Sequence, residues 1–387
     1  MTAGARTSFP DLNLLAVIRS PSWTQVVRDA VCDIGVFPIR TCGARDAVFT
    51  LASTSVRYSH LLVECGCADG LLDTLVGLTD GSIGSNTELL LLGACTGAPS
   101  GIGVVRLADR SSVREALMVP PPARDVSEPL MQVAELRAAL ANSMIEARYQ
   151  PIVRIKDGCP IAFEALARLN HPSLGTIPPD RFVPQIEDAG LAPELTELIS
   201  ACAFADMTGA GFTGLGLGIT LNFPLDVLLQ PEALNRLEAQ RLAAGIPARQ
   251  VVVELTESRP VEDFDLLRQS LNHLRGMGYL VAIDDVGPAV PRLAPLLDLP
   301  FTGLKLDKDL VQRIEHDPEI EDFLRVTTAQ AHAHGLSVVA EGVESRVILE
   351  RVRAIGADYA QGFLAARPLP IGAVPVWLDG WRHTPAF

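Results

Sequence analysis

The chain opens with short apolar runs separated by amphipathic stretches. Leu12–Ile18, His60–Cys65 and Glu88–Ala94 are too short for buried helices and read as buried strands, with Gly103–Leu107 a weaker one. Trp23–Ile34 spaces its apolar residues at helical intervals after Ser22, a candidate cap, and Ser111–Leu117 reads as a short helix. Alternation on this scale predicts a smaller doubly wound α/β domain over residues 1–122. The proline run Val119-Pro120-Pro121-Pro122-Ala123 cannot continue a helix. It starts a linker, and Glu128–Ala147 reads as a helical segment, so 123–147 lead into a second domain at 148–387.

In that second part, strand-like runs recur at Arg148–Ile155, Ile161–Leu169, Leu215–Asn222, Val251–Thr256, Leu280–Asp285, Gly303–Leu306, Val338–Ala340 and Tyr359–Leu364. Helical patterns fall at Leu195–Met207, Glu232–Ala244, Phe264–Met277, Glu319–His334 and Arg346–Ile355. Strands followed mostly by helices predict a TIM-like (β/α)8 barrel, whose chemistry lies at the C-terminal strand ends.

Composition narrows the options. Hydrophobic residues make up 48% and charged residues 20%, a globular balance that excludes wholesale disorder. The net charge of -14 argues against a protein that coats DNA or RNA. The acid surplus falls almost entirely after residue 125. Seven cysteines include no Cys-x-x-Cys and no zinc-like cluster with histidine, and Cys65 and Cys67 read as buried small residues. No secretory leader and no membrane-spanning run is evident, so a soluble, reduced, cytoplasmic protein is expected.

The polar residues closing the barrel strands are then informative. Glu164, Asn222, Glu254 with Glu257, Asp284 with Asp285, Lys305 with Asp307, Glu341 and Gln361 all fall at or near strand ends. One acid in such a place most often caps a helix or is solvated. Five or more carboxylates on one face repel one another unless something neutralises them. Hard oxygen donors without His or Cys point to magnesium or manganese. Adjacent Asp284 and Asp285 suit a pair of ions serving phosphodiester hydrolysis. Lys305 is one of three lysines against 29 arginines, and a compact ammonium there suggests a partner for phosphate or water; the alternative is a surface lysine.

These residues resemble a known pattern. Residues 148–366 resemble the EAL domain, the cyclic di-GMP phosphodiesterase family. The resemblance rests on Arg148-Tyr149-Gln150-Pro151-Ile152-Val153, Phe163-Glu164-Ala165-Leu166-Ala167-Arg168 and Asn170-His171-Pro172. Glu254-Leu255-Thr256-Glu257, Asp284-Asp285, Leu304-Lys305-Leu306-Asp307, Ala340-Glu341-Gly342-Val343-Glu344 and Ala360-Gln361-Gly362-Phe363 follow in order. The resemblance implies hydrolysis of cyclic di-GMP to linear pGpG. It implies Glu164, Asn222, Glu254 and Asp284 as ligands of a first Mg2+ or Mn2+, and Asp284 and Asp285 as ligands of a second. It implies that Lys305 holds the attacking water, that Glu341 and Gln361 contact water or ligands, and that Glu341 is a candidate general base. Arg168 matches a phosphate-binding arginine, Gln150 a nucleotide contact, and Glu257 a residue steadying the loop after the Asp pair. A homodimer is also implied.

Two departures qualify this. The family's Phe-Gly-Thr-Gly-Tyr-Ser-Ser-Leu loop reads Val286-Gly287-Pro288-Ala289-Val290-Pro291-Arg292-Leu293 here, without hydroxyls and with two prolines. A differently shaped loop and weak or partner-dependent turnover are expected. The alternative is a catalytically inactive cyclic di-GMP receptor or a protein-interaction subunit. Residues 11–118, in turn, resemble a degenerate response-regulator receiver. Arg19-Ser20 stand where paired acids belong, Cys65 where the phosphoacceptor belongs, and the domain has no lysine. An unphosphorylated module for protein contact or dimerisation is expected.

Overall fold

The computed structural model describes residues 14–34, 39–53, 58–64, 66–67, 70–79, 88–93, 105–118, 131–172, 175–256, 261, 263–287 and 293–382. The chain divides into two compact units, Met1–Pro129 with Pro172–Thr176, and Leu130–His171 with Ile177–Phe387.

The first unit is built on five parallel strands: β1 (Leu14–Val17), β2 (Ile39–Cys42), β3 (His60–Glu64), β4 (Glu88–Leu92) and β5 (Val105–Leu107). Their order, β2-β1-β3-β4-β5, is that of a flavodoxin-like doubly wound sheet. Leu14, Ala16, Leu62, Leu90 and Leu92 meet Val27, Ala30 and Val31 of helix Pro21–Ile34 and Val113 and Leu117 of helix Arg110–Met118. Each fully buried Leu or Val side chain here contributes about 1.5–3 kcal/mol. Strand β2 and helices Ala44–Ser53 and Leu72–Thr79 escape the sequence pattern. The reason is plain for β2: Ile-Arg-Thr-Cys is a half-exposed edge strand with no apolar run.

At the C-terminal edge of this sheet Glu64 bridges two strands. Its Oε2 accepts from the backbone N–H of Arg19 at 2.8 Å and of Ser20 at 2.9 Å. Cys67 Sγ lies 3.2 Å from the same oxygen. Partial burial pushes the Glu64 carboxyl up, but these donors outweigh it and hold it below the usual carboxylate range.

Nine strands form the second sheet: β6 (Ile145–Arg154), β7 (Pro160–His171), β8 (Gly175–Ile177), β9 (Gly218–Pro224), β10 (Val251–Thr256), β11 (Leu280–Val286), β12 (Gly303–Leu306), β13 (Ser337–Ala340) and β14 (Tyr359–Gln361). Eight of them close into a barrel, because β6 pairs with both β14 and β7; β8 extends the sheet beyond β7. The expected TIM-like barrel is present, with one departure: β6 runs antiparallel to both neighbours. Only a short turn separates Arg154 from Pro160, with Gly158 at φ 67° and Arg154 N–H donating to Cys159 O. So short a link makes a hairpin, whereas a parallel pair needs a crossover.

The helix read over Glu128–Ala147 is shorter, Val133–Ala141, and Ile145 already belongs to β6. The strand expected from Leu215 begins at Gly218, because a 3-10 turn at Phe212–Leu215 sits between left-handed Gly211 and Gly216. Helix Phe264–Met277 matches its sequence expectation, with Asp263 accepting from Leu266 N–H at its start.

Candidate active site

Alternation along β7 puts Glu164, Leu166 and Arg168 on one face of the strand. The ladders bring Gln150 opposite Glu164, Glu164 opposite Thr220, and Asn222 opposite Glu254. Polar side chains from consecutive strands thus converge inside the barrel. Strand β11 adds a local device. Its register against β12 shifts between Ile283 and Val286, and Asp285 has a left-handed φ of 49°. Such an irregularity re-aims side chains. Here Asp284 is buried while the next residue, Asp285, is exposed.

Lys305 stands at the centre. It is 1% exposed, which disposes of the surface-lysine alternative. Its Nζ donates to Glu164 Oε2 at 3.3 Å and Glu254 Oε2 at 3.1 Å, and pairs with Asp284 Oδ1 at 2.9 Å and Glu341 Oε1 at 2.6 Å. Glu164 is further held by Asn222 Nδ2 at 2.8 Å and Gln361 Nε2 at 2.6 Å. Gln361 Nε2 also donates to Gln150 Oε1, and Gln150 Nε2 to Ala366 O.

The electrostatics follow. Burial pulls Lys305 down, but Asp284, Glu164, Glu254 and Glu341 overcome it and raise its affinity for the proton well above normal. Burial pushes Glu164 up, yet Lys305, Gln361 and Asn222 hold it below its ordinary value. Glu254 and Asp284 are raised by burial in spite of Lys305. Burial together with neighbouring carboxylates lifts Asp285 to about 6; burial lifts Glu341 to about 8 against the opposing pull of Lys305. One ammonium is too little for five carboxylates.

That surplus fits hard divalent cations. Carboxylate oxygens of Glu164, Glu254 and Asp284 lie within 4.8 Å of one another, as do those of Asp284, Asp285 and Glu341. Asp284 belongs to both groups, the arrangement of a bridging ligand. The structure thus brings Glu164, Asn222, Glu254, Asp284, Asp285, Lys305, Glu341, Gln361 and Gln150 together. Asp307, read with Lys305 at a strand end, instead caps helix Lys308–Arg313 by accepting from Leu310 N–H. Arg168 is fully buried; its Nη1 donates to Ala167 O at 2.7 Å, and among the described residues its Nε and Nη2 have no partner. Glu257 and the loop 288–292 lie outside the described residues.

Two glycines hold the motif loops together. A Cβ on Gly362 would lie 2.3 Å from the backbone N and O of Val343, and one on Gly342 would lie 2.9 Å from Lys308 Cβ. Sequence reading missed Arg148 and Glu146, which share the face of β6 with Gln150; their spacing of two along the strand was the available signal.

A barrel with this carboxylate ring defines the class, and the chain belongs to the EAL domain family, which matches residues 133–368. The chain is similar to the cyclic di-GMP phosphodiesterase RocR of Pseudomonas aeruginosa, 32% identical over 62% of each chain. It is also similar to the oxygen sensor protein DosP of Escherichia coli, 31% identical over 66% of this chain and 32% of DosP. Among solved structures, the PaMucR phosphodiesterase in complex with c-di-GMP superposes with a TM-score of 0.59 and 29% identity, covering 63% of this chain and all of that one. The EAL enzyme Bd1971, bound to cAMP and cyclic di-GMP, gives 0.60 and 26%, over 64% of this chain and 68% of that one. The chain spans less than two thirds of the curated relatives named here. Among the described residues, no helix is long and apolar enough to cross a membrane.

Proposed function

We propose that the second unit hydrolyses one phosphodiester bond of cyclic di-GMP, giving linear pGpG, with two magnesium or manganese ions. The observation that carries this reading is Lys305, buried within reach of Glu164, Glu254, Asp284 and Glu341, with Asp285 beside them. Glu164, Asn222, Glu254 and Asp284 would hold one ion, and Asp284 and Asp285, with Glu341 nearby, the other. Bound divalent ions would acidify water enough to attack phosphorus at neutral pH and offset the charge of the leaving oxygen. Lys305 Nζ positions the attacking water, and the Glu341 carboxylate takes its proton. Gln361 and Asn222 fix Glu164 so that its charge faces the reacting centre. Arg168, with unpaired Nε and Nη2, binds a phosphate oxygen, and Gln150 contacts the nucleotide. The relatives named as cyclic di-GMP phosphodiesterases support the choice of substrate.

The first unit regulates this activity through a protein partner, and the chain acts as a homodimer. The free Cys42, Cys67, Cys159 and Cys202 agree with a reducing cytoplasm.

The test is incubation of the full chain with cyclic di-GMP and Mg2+ or Mn2+, followed by quantification of pGpG. Product with either ion is the expected result. Absence of product at micromolar enzyme over hours would overturn turnover. Pro288 and Pro291 in the loop favour a second reading, a receptor that binds without cleaving. Tight calorimetric binding without product identifies that case, and restoring the family's loop sequence at 286–292 should then recover turnover.

A further inference from the structure

Glu146, Arg148 and Gln150 alternate onto one face of β6. Across the antiparallel ladder Glu146 stands opposite Arg168, Arg148 opposite Leu166, and Gln150 opposite Glu164. Opposed residues of a ladder point to the same side, so Arg148 and Arg168 are diagonal neighbours on the face that carries Glu164. Both are buried, at 5% and 0% exposure.

The partners are unevenly shared. Glu146 faces Arg168, yet its Oε1 accepts from Arg148 Nε at 2.7 Å and lies 2.5 Å from Arg148 Nη2. Among the described residues, Arg168 is left with one backbone carbonyl and two unmet donors. Burial pushes the Arg168 guanidinium down to about 10, the neighbouring Arg148 charge pushes the same way, and Asp180, Glu164 and Glu146 oppose them without cancelling them. Two buried guanidinium groups sharing the one carboxylate of Glu146 keep a net positive charge, which a further anion would offset. Guanidinium forks match phosphate oxygens in pairs.

We propose that Arg148 is a second phosphate-binding residue, which with Arg168 grips one phosphate of the cyclic dinucleotide, while Glu146 holds Arg148 in place and tempers the affinity. This rests on the function proposed above. It assigns the two phosphates of one ligand to two places: one at the carboxylate ring around Glu164, the other at the arginine pair four residues further along β7.

The experiment measures KM, kcat and calorimetric affinity for cyclic di-GMP in the full chain and in Arg148→Gln, Arg148→Lys and Glu146→Gln, with thermal unfolding as the control for folding. Arg148→Gln should raise KM about tenfold, a larger effect than on kcat. Arg148→Lys should recover only part of the loss, because an ammonium lacks the fork. Glu146→Gln removes a carboxylate beside the phosphate and should lower KM about threefold. Wild-type affinity in Arg148→Gln overturns the proposal alone. So does weakened binding in Glu146→Gln matching that of Arg148→Gln, which would mark the pair as structural. A wild-type chain that neither binds nor cleaves cyclic di-GMP overturns the functional reading and this proposal together.

Discussion

Lys305 Nζ lies 2.6 Å from Glu341 Oε1, with three further carboxylates within 3.3 Å. Without divalent ions, this ammonium is the counter-charge to the ring. Lys305→Met removes it and leaves buried carboxylates uncompensated, a loss on the order of 3–5 kcal/mol for a broken buried pair. Added Mg2+ should then restore more stability in the variant than it adds to the wild type, because no ammonium competes for the oxygens. Thermal unfolding with Mg2+ and with a chelator checks this. An equal Mg2+ response in both proteins would separate Lys305 from the ion site. Turnover should be lost in either condition.

The first unit offers a pH test. Burial is the largest single influence on the Glu64 carboxyl and pushes it up, but the N–H groups of Ser20 and Arg19, with Cys67 and the Ser20 hydroxyl, together hold it below the usual range. A folded-state value below the unfolded one near 4.3 gives stability that is present above that value and lost as pH falls through the folded value. Glu64→Gln keeps an acceptor oxygen but loses the charge. It should destabilise this unit by about 1 kcal/mol at pH 7, the difference between a charged and a neutral acceptor. The gap should close below about pH 4. Urea unfolding followed by Trp23 fluorescence, with Trp377 and Trp381 replaced by Phe, reads this unit alone. A gap that persists unchanged at pH 3 would refute the charge argument. Phosphodonors should leave the unit unaltered, since Arg19 and Ser20 offer no acid pair.

Much of this arrangement was legible in the chain. Glu254, Asp284, Lys305 and Glu341 each interrupt or follow a short apolar run near a strand's C-terminal end, Glu164 lies mid-strand in β7, and the barrel's closure brings all five together. What escaped has physical causes. β2 has no apolar run because it lies at a sheet edge. The reversed direction of β6 depends on the five residues between Arg154 and Pro160, not on the strand's own pattern. Arg148 looks like any surface arginine until the ladder sets it diagonal to Arg168. The left-handed Asp285 is invisible in composition, because asymmetry between adjacent aspartates arises only from the β11 irregularity.

Gly362 makes the motif around Gln361 a packing requirement as well as a chemical one. Val343 N–H donates to Gln361 O, and Leu364 N–H to Val343 O, so the two backbones are tied at van der Waals distance. Gly362→Ala would force a Cβ to 2.3 Å from Val343 N and O. The backbones must separate, at a cost of about 3 kcal/mol or more. Gln361 would then draw away from Glu164. Thermal unfolding should register the loss, and activity at a temperature where the variant is still folded should fall in parallel. A variant with wild-type stability would show that the two segments are free to part.

Glu164 accepts from three donors, Asn222 Nδ2, Gln361 Nε2 and Lys305 Nζ, and it is the ring carboxylate whose proton affinity is lowered below normal. Glu164→Gln is nearly isosteric, yet it turns one acceptor oxygen into an NH2 group among those donors. At least one buried donor then loses its partner, which costs about 1–3 kcal/mol, and a unit of charge leaves the proposed ion site. Turnover should fall by on the order of a thousandfold or more, about 4 kcal/mol in the barrier. Mn2+ affinity measured by calorimetry should weaken by at least tenfold. Glu164→Asp keeps the charge on a shorter arm and should bind Mn2+ more tightly than the Gln variant while remaining slow. If Glu164→Gln instead kept both Mn2+ affinity and rate, the ring would be a structural ion-pair network and its reaction would lie elsewhere.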